Sequence, residues 1–228
     1  MSNERRGRQS SGLRPAGIIV TRVRPPRGVY AALATVLFAD LRGYTGLAER
    51  ISAVSIMPLL DEFFAILTNA TEAHGGQVFH LAGDGMMAGF GMSDANSSGA
   101  HAALAAGHAM LQGFANVAAR WRSELSIEAA IGIGLHSGEV AVGALGPPGR
   151  RATTLVGDTV NVAARLCSRA RAGEVLFSCT VAADLERHAG PGALAGAAPF
   201  LQLPQFELRG RRGPIDIWCV PAKERVLL

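Results

Sequence analysis

The chain has 228 residues, 49% hydrophobic and 18% charged, so it can bury one catalytic-sized core and is neither fibrous nor disordered as a whole. Its three cysteines, Cys167, Cys179 and Cys219, are odd in number and widely spaced. This pattern argues against a disulfide framework or a zinc cluster, and it favours a reducing, cytoplasmic location.

The net charge of +4 is unevenly distributed along the chain. Residues 1–29 contain seven arginines and one glutamate, so this segment carries +6 and the remainder −2. We therefore expect a basic, flexible N-terminal tail over residues 1–29 and one folded domain over residues 30–228. The tail could contact nucleic acid or anionic lipid, but a solvated leader explains the same composition, and we expect no nucleic-acid partner. Neither a secretory signal nor an apolar stretch that crosses a membrane is expected.

Hydrophobic periodicity predicts a succession of strands and helices. A buried strand at residues 34–39 precedes an amphipathic helix over 55–74. The elements predicted after it are a hairpin with strands 77–81 and 86–90, a helix ending near 123, strands 128–135 and 139–142, strand 153–156, a helix opening at Gly157-Asp158, strand 174–178, helix 180–187, and a strand pair at 206–209 and 215–220. The leading β-α-β-β-α-β order predicts an α+β fold, a ferredoxin-like antiparallel sheet with helices packed over one face.

Two aspartates stand where this fold would bring them together. Asp40 ends the first buried strand, and Asp84 lies between glycines at the tip of the hairpin. The first strand and the central hairpin are neighbours in a ferredoxin-like core, so both carboxylates can converge at one end of the sheet. Paired carboxylates suit hard divalent cations such as Mg²⁺ or Mn²⁺ and leave coordination positions for phosphate oxygens. Taken singly, each aspartate is equally explained as the cap of a turn.

A second pair of polar residues lies near the start of the helix that opens at Gly157-Asp158. Asn161 and Arg165 are four residues apart, so both project from one helix face. An amide and a guanidinium there could hold a ribose oxygen and a phosphate in which negative charge develops. The spacing alone is also compatible with an ordinary solvated face.

Three sequence blocks together resemble the signature motifs of the class III nucleotidyl cyclase catalytic domain. The blocks are, in chain order, Phe38-Ala39-Asp40-Leu41-Arg42-Gly43-Tyr44-Thr45, Gly83-Asp84-Gly85-Met86-Met87 and Val156-Gly157-Asp158-Thr159-Val160-Asn161-Val162-Ala163-Ala164-Arg165. One block would be weak support, but three in the right order are specific. The resemblance extends from about Ala34 to Val220.

The resemblance implies a reaction and a role for each motif residue. Asp40 and Asp84 would bind two divalent cations, with help from the backbone carbonyl of Leu41. Asn161 would orient the ribose, and Arg165 would meet phosphate charge. The ribose 3′-hydroxyl would attack the α-phosphate and give a 3′,5′-cyclic nucleotide and pyrophosphate.

The resemblance also implies how substrate and subunits are arranged. Such domains work as head-to-tail dimers in which one chain supplies the metal aspartates and the other the Asn/Arg pair, so a chain with both sets would form a homodimer. His80 and Thr154 stand where the purine is selected, and Arg211 stands near the position of a lysine that contacts the terminal phosphates. Adenylyl cyclases usually carry Lys at the position of His80, but Thr154 fits them, so ATP is the expected substrate and GTP the alternative.

Three other functions remain open at this point. The chain could be a guanylyl or dual-specificity cyclase, or a catalytically silent cyclase-like module that serves dimerisation or regulation. A diguanylate cyclase or polymerase-like palm domain shares the strand order but requires a GGDEF-like hairpin, whereas this hairpin is Ala82-Gly83-Asp84-Gly85.

Overall fold

A computed structural model describes residues 28–92, 99–189, 200–207 and 213–222. These residues form eight strands and five helices. In chain order they are β1 (Tyr30–Arg42), α1 (Tyr44–Arg50), α2 (Ala53–Ala73), β2 (Gln77–Ala82), β3 (Gly85–Phe90), α3 (Gly99–Leu125), β4 (Ala130–Leu145), β5 (Ala152–Val156), α4 (Asp158–Arg169), β6 (Val175–Ser178), α5 (Cys179–Ala189), β7 (Leu201–Phe206) and β8 (Ile215–Val220).

The strands form one mixed sheet in the order β2-β3-β1-β4-β6-β8-β7, and β5 pairs with β4 outside this order. The first four positions reproduce the ferredoxin-like arrangement expected from the sequence, with antiparallel pairing throughout. Strand β6 adds to β4 in parallel, and β8 and β7 extend the sheet in antiparallel pairing. The predicted fold class is therefore confirmed.

Helices cover both faces of the sheet, which differs from the expectation that they lie over one face. Side chains of α2, α3 and α5 share the largest core cluster with Leu37, Ala39 and Leu41 of β1. Helix α4 packs instead on the opposite face, where Val162 and Leu166 meet residues of β6 and β8. Alternate residues of a strand point to opposite faces, so the face of Phe38, Asp40 and Arg42 is the one that α4 covers.

Close approach of α4 to the sheet requires glycine in β4. A Cβ atom at Gly134 would lie 2.1 Å from the backbone nitrogen of Cys167, and one at Gly138 would lie 2.6 Å from Oγ1 of Thr159. The Thr159 hydroxyl donates a hydrogen bond to the Glu139 carbonyl over 2.7 Å. The first turn of α4 is thereby fixed against β4.

Strand β4 is a single strand of 16 residues, so the prediction of two strands separated by His136-Ser137-Gly138 was wrong. The polar residues of this segment are paired across the sheet instead of turning the chain. His136 Nδ1 lies 2.6 Å from Oγ of Ser178, and Ser137 Oγ lies 2.8 Å from Oγ1 of Thr35. Polar side chains with partners on neighbouring strands are tolerated inside a sheet.

The strand that pairs with β8 spans Leu201–Phe206, earlier than the predicted 206–209. Positions 208–212 lie outside the described residues. Short helix α1 was not predicted, whereas the hairpin and helices α2, α4 and α5 lie within two residues of their predicted limits. The boundary of the N-terminal tail stays a prediction; its residues 1–27 lie outside the described part.

Helix α2 is the one helix in the described part that is long and apolar enough to cross a membrane by length and composition. Its apolar face packs within the protein: Phe63 contacts Phe114 of α3 edge-on at 5.5 Å between ring centroids, and Phe114 contacts Trp121 at 5.3 Å. Both Phe63 and Trp121 are almost fully buried. Five of its 21 residues are buried, Ile56, Phe63, Leu67, Ala70 and Thr71, so α2 packs on the core by one face.

We expect Gly134→Ala to destabilise the protein by about 1–3 kcal/mol or more, because the added methyl group meets backbone that cannot yield without moving α4. Gly46→Ala is the matched control, since nothing lies within 4 Å of its added Cβ. Urea unfolding measures both changes. Equal stabilities of the two variants would show that α4 does not require glycine beneath it.

Candidate active site

Asp40 and Asp84 lie at the same end of the sheet. In the strand register Asp40 faces Gly85 on β3 and Gly132 on β4, and Asp84 directly precedes Gly85 at the hairpin tip. The backbone amide of Leu41 donates to the carbonyl of Asp84 over 3.0 Å, which joins the hairpin to β1. Both aspartates are half-buried.

The two carboxylates interact electrostatically. Burial raises the pKa of Asp40 from its ordinary value, the negative charge of Asp84 raises it further, and Arg42 opposes both effects. A site in which carboxylates repel each other favours a bound cation. The described residues contain no cluster of three or more His, Cys, Asp or Glu, so the protein can offer two carboxylates and backbone carbonyls there. An oxygen-only donor set of this size fits Mg²⁺ or Mn²⁺ whose remaining ligands come from water or phosphate.

Asn161 and Arg165 lie on helix α4, on the side away from its buried face. Asn161 is exposed and Arg165 half-buried, whereas Val162, Ala163 and Leu166 are buried. Gly157 precedes the helix with a φ of 148°, a conformation that favours glycine, and a Cβ there would lie 3.3 Å from the Glu139 carbonyl. Among the described residues, no hydrogen bond or ion pair engages the guanidinium of Arg165.

Within one chain, Asp40 and the Asn161/Arg165 pair do not face each other. Arg42 joins Asp40 to α4, because its guanidinium bonds the backbone of Cys167 and Ala170 at the C-terminal end of the helix, and the charge of Asp40 also acts on Cys167. Asn161 lies six residues before Cys167, or roughly 9 Å along the axis at 1.5 Å per residue. Arg165 lies only two residues before Cys167, or roughly 3 Å along the axis, but on the opposite side of the helix at about 100° per residue. Consistently, Arg165 is not among the charged groups that act on Asp40.

His80 and Thr154 lie on two strands that approach each other. His80 is exposed on β2, next to an irregularity in the β2–β3 pairing, and Thr154 is half-buried on β5 opposite Gly143. Their sequence neighbours Phe79 and Leu155 belong to one apolar cluster. A Cβ atom at Gly89 of β3 would lie within 3.1 Å of side-chain atoms of both Phe79 and Leu155. Strands β2 and β5 therefore meet over this glycine.

The structure leaves one predicted site residue undescribed and adds contacts for a residue to which the sequence analysis gave no role. Arg211 lies outside the described residues, so its role stays a prediction. Arg42 was quoted in the first motif without a role, yet it forms an ion pair with Asp40 and donates from Nε to the Ala170 carbonyl over 3.1 Å. The sequence signal for this contact is that Asp40 and Arg42 are two residues apart, because this spacing puts both side chains on one face of a strand.

Comparison with known proteins assigns the family. The model of the adenylate and guanylate cyclase catalytic domain matches residues 31–220. The chain therefore belongs to this family.

Similar proteins include both kinds of cyclase. The crystal structure of the adenylyl cyclase CyaB from P. aeruginosa is similar with a TM-score of 0.77 at 27% identity, over 88% of this chain and 99% of that one. A guanylyl cyclase structure is similar with a TM-score of 0.73 at 26% identity, over 88% and 97%. An adenylate cyclase of Anabaena cylindrica is 34% identical over 58% of this chain and 26% of its own length. An uncharacterized protein of Mycobacterium tuberculosis is 37% identical over 66% of this chain and 26% of its own length, so the chain spans about a quarter of these curated relatives.

We expect Asp84→Asn to lower the pKa of Asp40, because the substitution removes the negative charge that disfavours ionisation of its neighbour. The measurement is the NMR titration of the Asp40 side-chain carboxyl in the cation-free protein. Asp61→Asn, on the exposed side of α2, is the control that leaves this titration unchanged. If Asp84→Asn leaves the pKa of Asp40 unchanged, the two carboxylates do not interact electrostatically.

Proposed function

We propose that this chain is an adenylyl cyclase that converts ATP to 3′,5′-cyclic AMP and pyrophosphate at sites shared between the subunits of a homodimer. The observation that supports the proposal is that one chain contains both pairs, with Asp40 tied by Arg42 to the C-terminal end of α4 and with Asn161 and Arg165 outside the buried face of that helix. A second copy can supply the missing half of each site. Three free cysteines, two of them buried, support a cytoplasmic location.

Asp40 and Asp84, with the backbone carbonyl of Leu41, are the residues that would hold two divalent cations. Cations bound there would favour the ionised 3′-hydroxyl and would neutralise triphosphate charge. The chain's own contribution is to hold two half-buried carboxylates at fixed positions, since the Leu41 amide anchors the Asp84 backbone. Such preorganisation avoids the cost of ordering the ligands during the reaction.

Asn161 and Arg165 would act on the nucleotide itself. The Asn161 amide can hold a ribose oxygen in line for attack, and the Arg165 guanidinium can donate to phosphate oxygens as charge accumulates. Helix α4 is fixed to β4 by the Thr159 hydrogen bond and by close packing over Gly134, so both side chains start from a rigid support. Among described residues, the lack of a partner for Arg165 leaves its donors available.

An exposed apolar strip supports the second copy as partner. Leu33 of β1 is 75% exposed, Leu145 of β4 is 64% exposed, and Val156 of β5 is 51% exposed. These strands are hydrogen-bonded neighbours, since β4 pairs with both β1 and β5. Exposed apolar side chains on neighbouring strands are suited to a protein interface, and a two-fold axis would let the same residues serve both subunits.

ATP is the proposed purine nucleotide because Thr154 fits the pattern of adenylyl cyclases at the positions that the resemblance assigns to purine selection, and neither Thr154 nor His80 matches the Glu with Cys or Ser typical of guanylyl cyclases. Both side chains can donate and accept hydrogen bonds. The alternative is a guanylyl or dual-specificity cyclase, which the similarity to a guanylyl cyclase structure keeps open.

Mixing Asp40→Ala subunits with Arg165→Ala subunits should restore activity that each variant lacks alone. We expect each single variant to lose on the order of 10²–10³-fold or more in kcat. After random exchange, half the dimers are mixed and half of their sites are intact, so recovery reaches about a quarter of wild-type activity.

The control mixture combines Asp40→Ala with Asp84→Ala, because both defects fall in the same half-site and no intact site can form. Subunit exchange is followed with two differently labelled chains. Failure of the first mixture to recover despite exchange would refute shared sites.

Replacing His80 should change purine selection. Adenine presents an acceptor at N1 where guanine presents a donor, and a lysine can only donate, whereas neutral histidine can do either. His80→Lys should therefore raise the ATP/GTP ratio of kcat/KM by about tenfold. His74→Lys, at the end of α2, makes the same substitution away from β5. Equal ratios for both variants would show that His80 does not contact the base.

A further inference from the structure

Arg42 has three partners that belong to two functional parts of the molecule. Its Nη1 donates to Oδ2 of Asp40, its Nη2 to the carbonyl of Cys167, and its Nε to the carbonyl of Ala170 over 3.1 Å. The last two acceptors lie at the C-terminal end of α4, where unsatisfied carbonyls and the helix dipole attract a cation. One guanidinium thus joins a cation-ligand candidate to the helix that carries Asn161 and Arg165.

The sheet has room for this guanidinium only because Gly132 faces Asp40 in the register. A Cβ at Gly132 would lie 2.5 Å from both Nε and Nη2 of Arg42. The nearby thiol of Cys167 donates to the Gly132 carbonyl over 3.3 Å, and burial raises its pKa to about 12, so it stays neutral. In the described part of the chain, Asp40 is therefore the one anion that forms an ion pair with Arg42.

We propose that Arg42 is a positioning residue that acts as a latch on Asp40, holding this carboxylate against α4 until a divalent cation displaces the guanidinium. The latch rests on the proposed role of Asp40 as a cation ligand. A carboxylate oxygen that accepts from Arg42 presents a shielded lone pair, and the guanidinium repels an incoming dication. When displaced, Arg42 keeps its two carbonyl acceptors on α4.

The ion pair between Arg42 and Asp40 is partly shielded from water, so competition between Arg42 and a divalent cation for Asp40 should be measurable. The Arg42 side chain is 23% exposed and that of Asp40 35%, so water screens their attraction only in part. Removal of the latch should therefore tighten cation binding roughly five- to tenfold, the range for a partly screened ion pair.

In the first test, Mn²⁺ alone is titrated into the nucleotide-free protein, and the concentration of free Mn²⁺ is measured by electron paramagnetic resonance. Arg42→Met removes the competing charge, and Gly132→Ala displaces the guanidinium while it leaves every charge in the chain. Both should bind Mn²⁺ five- to tenfold more tightly than the wild type. Arg169→Met is the matched control, because this arginine of the same helix end lies over the Phe206 ring at 5.1 Å and does not act on Asp40. Its Mn²⁺ affinity should equal that of the wild type.

The second test starts from the wild-type protein. The Arg42 Nη1–H resonance, whose hydrogen bond to Asp40 the cation would break, is followed by NMR while Mg²⁺ is added to the wild type. The latch predicts that this resonance shifts with a saturable midpoint and that Asp40→Asn abolishes the shift. A merely structural cap of α4 would leave the resonance unchanged.

The outcomes separate the latch from the proposed function. If Asp40→Asn abolishes Mn²⁺ binding but Arg42→Met and Gly132→Ala bind no more tightly than the wild type, the latch is wrong and the cation assignment stands. The latch is also wrong if the chemical shift of the Arg42 resonance does not change at saturating Mg²⁺. If Asp40→Asn binds Mn²⁺ as the wild type does, both proposals fail.

Discussion

Repulsion between the carboxylates of Asp40 and Asp84 is the constraint around which the site is built. Burial, and after it the charge of Asp84, raises the pKa of Asp40, and the ion pair with Arg42 opposes both effects. Backbone pairing sustains this arrangement: Asp40 is fixed between β3 and β4, and the Leu41 amide binds the hairpin tip. Two carboxylates held close together in this way suit a site where a cation is to be bound, because the ion neutralises both charges.

The position of α4 determines what one chain can do alone. Glycines in β4 let the helix lie close to the sheet, with its buried side toward Asp40 and its outer side bearing Asn161 and Arg165. The two functional pairs are thereby prevented from meeting within the subunit. Under the proposed function, a nucleotide that contacts both pairs would lie between subunits, and the exposed apolar side chains on β1, β4 and β5 would give a second copy a surface to cover.

Local sequence patterns predicted the parts of this arrangement that depend on neighbours in the chain. Convergence of Asp40 and Asp84 followed from strand order, and the shared face of Asn161 and Arg165 from helical spacing. The rest depends on distant partners. His136 remains in a strand because it meets Ser178, 42 residues later, and Arg42 bonds a carbonyl 125 residues away. Which face of the sheet a helix covers also depends on contacts across the whole sheet, so the position of α4 was missed.

The central claim is that the shared sites cyclise a nucleotide, and product identification by mass tests it most directly. Purified protein is incubated with ATP or GTP, each with Mg²⁺ and with Mn²⁺, and the products are separated and weighed. The account predicts 3′,5′-cyclic AMP and pyrophosphate in equal amounts from ATP, with less product from GTP and none from Asp40→Ala. A folded, dimeric preparation that forms no cyclic nucleotide from either substrate under any of the four conditions would contradict it.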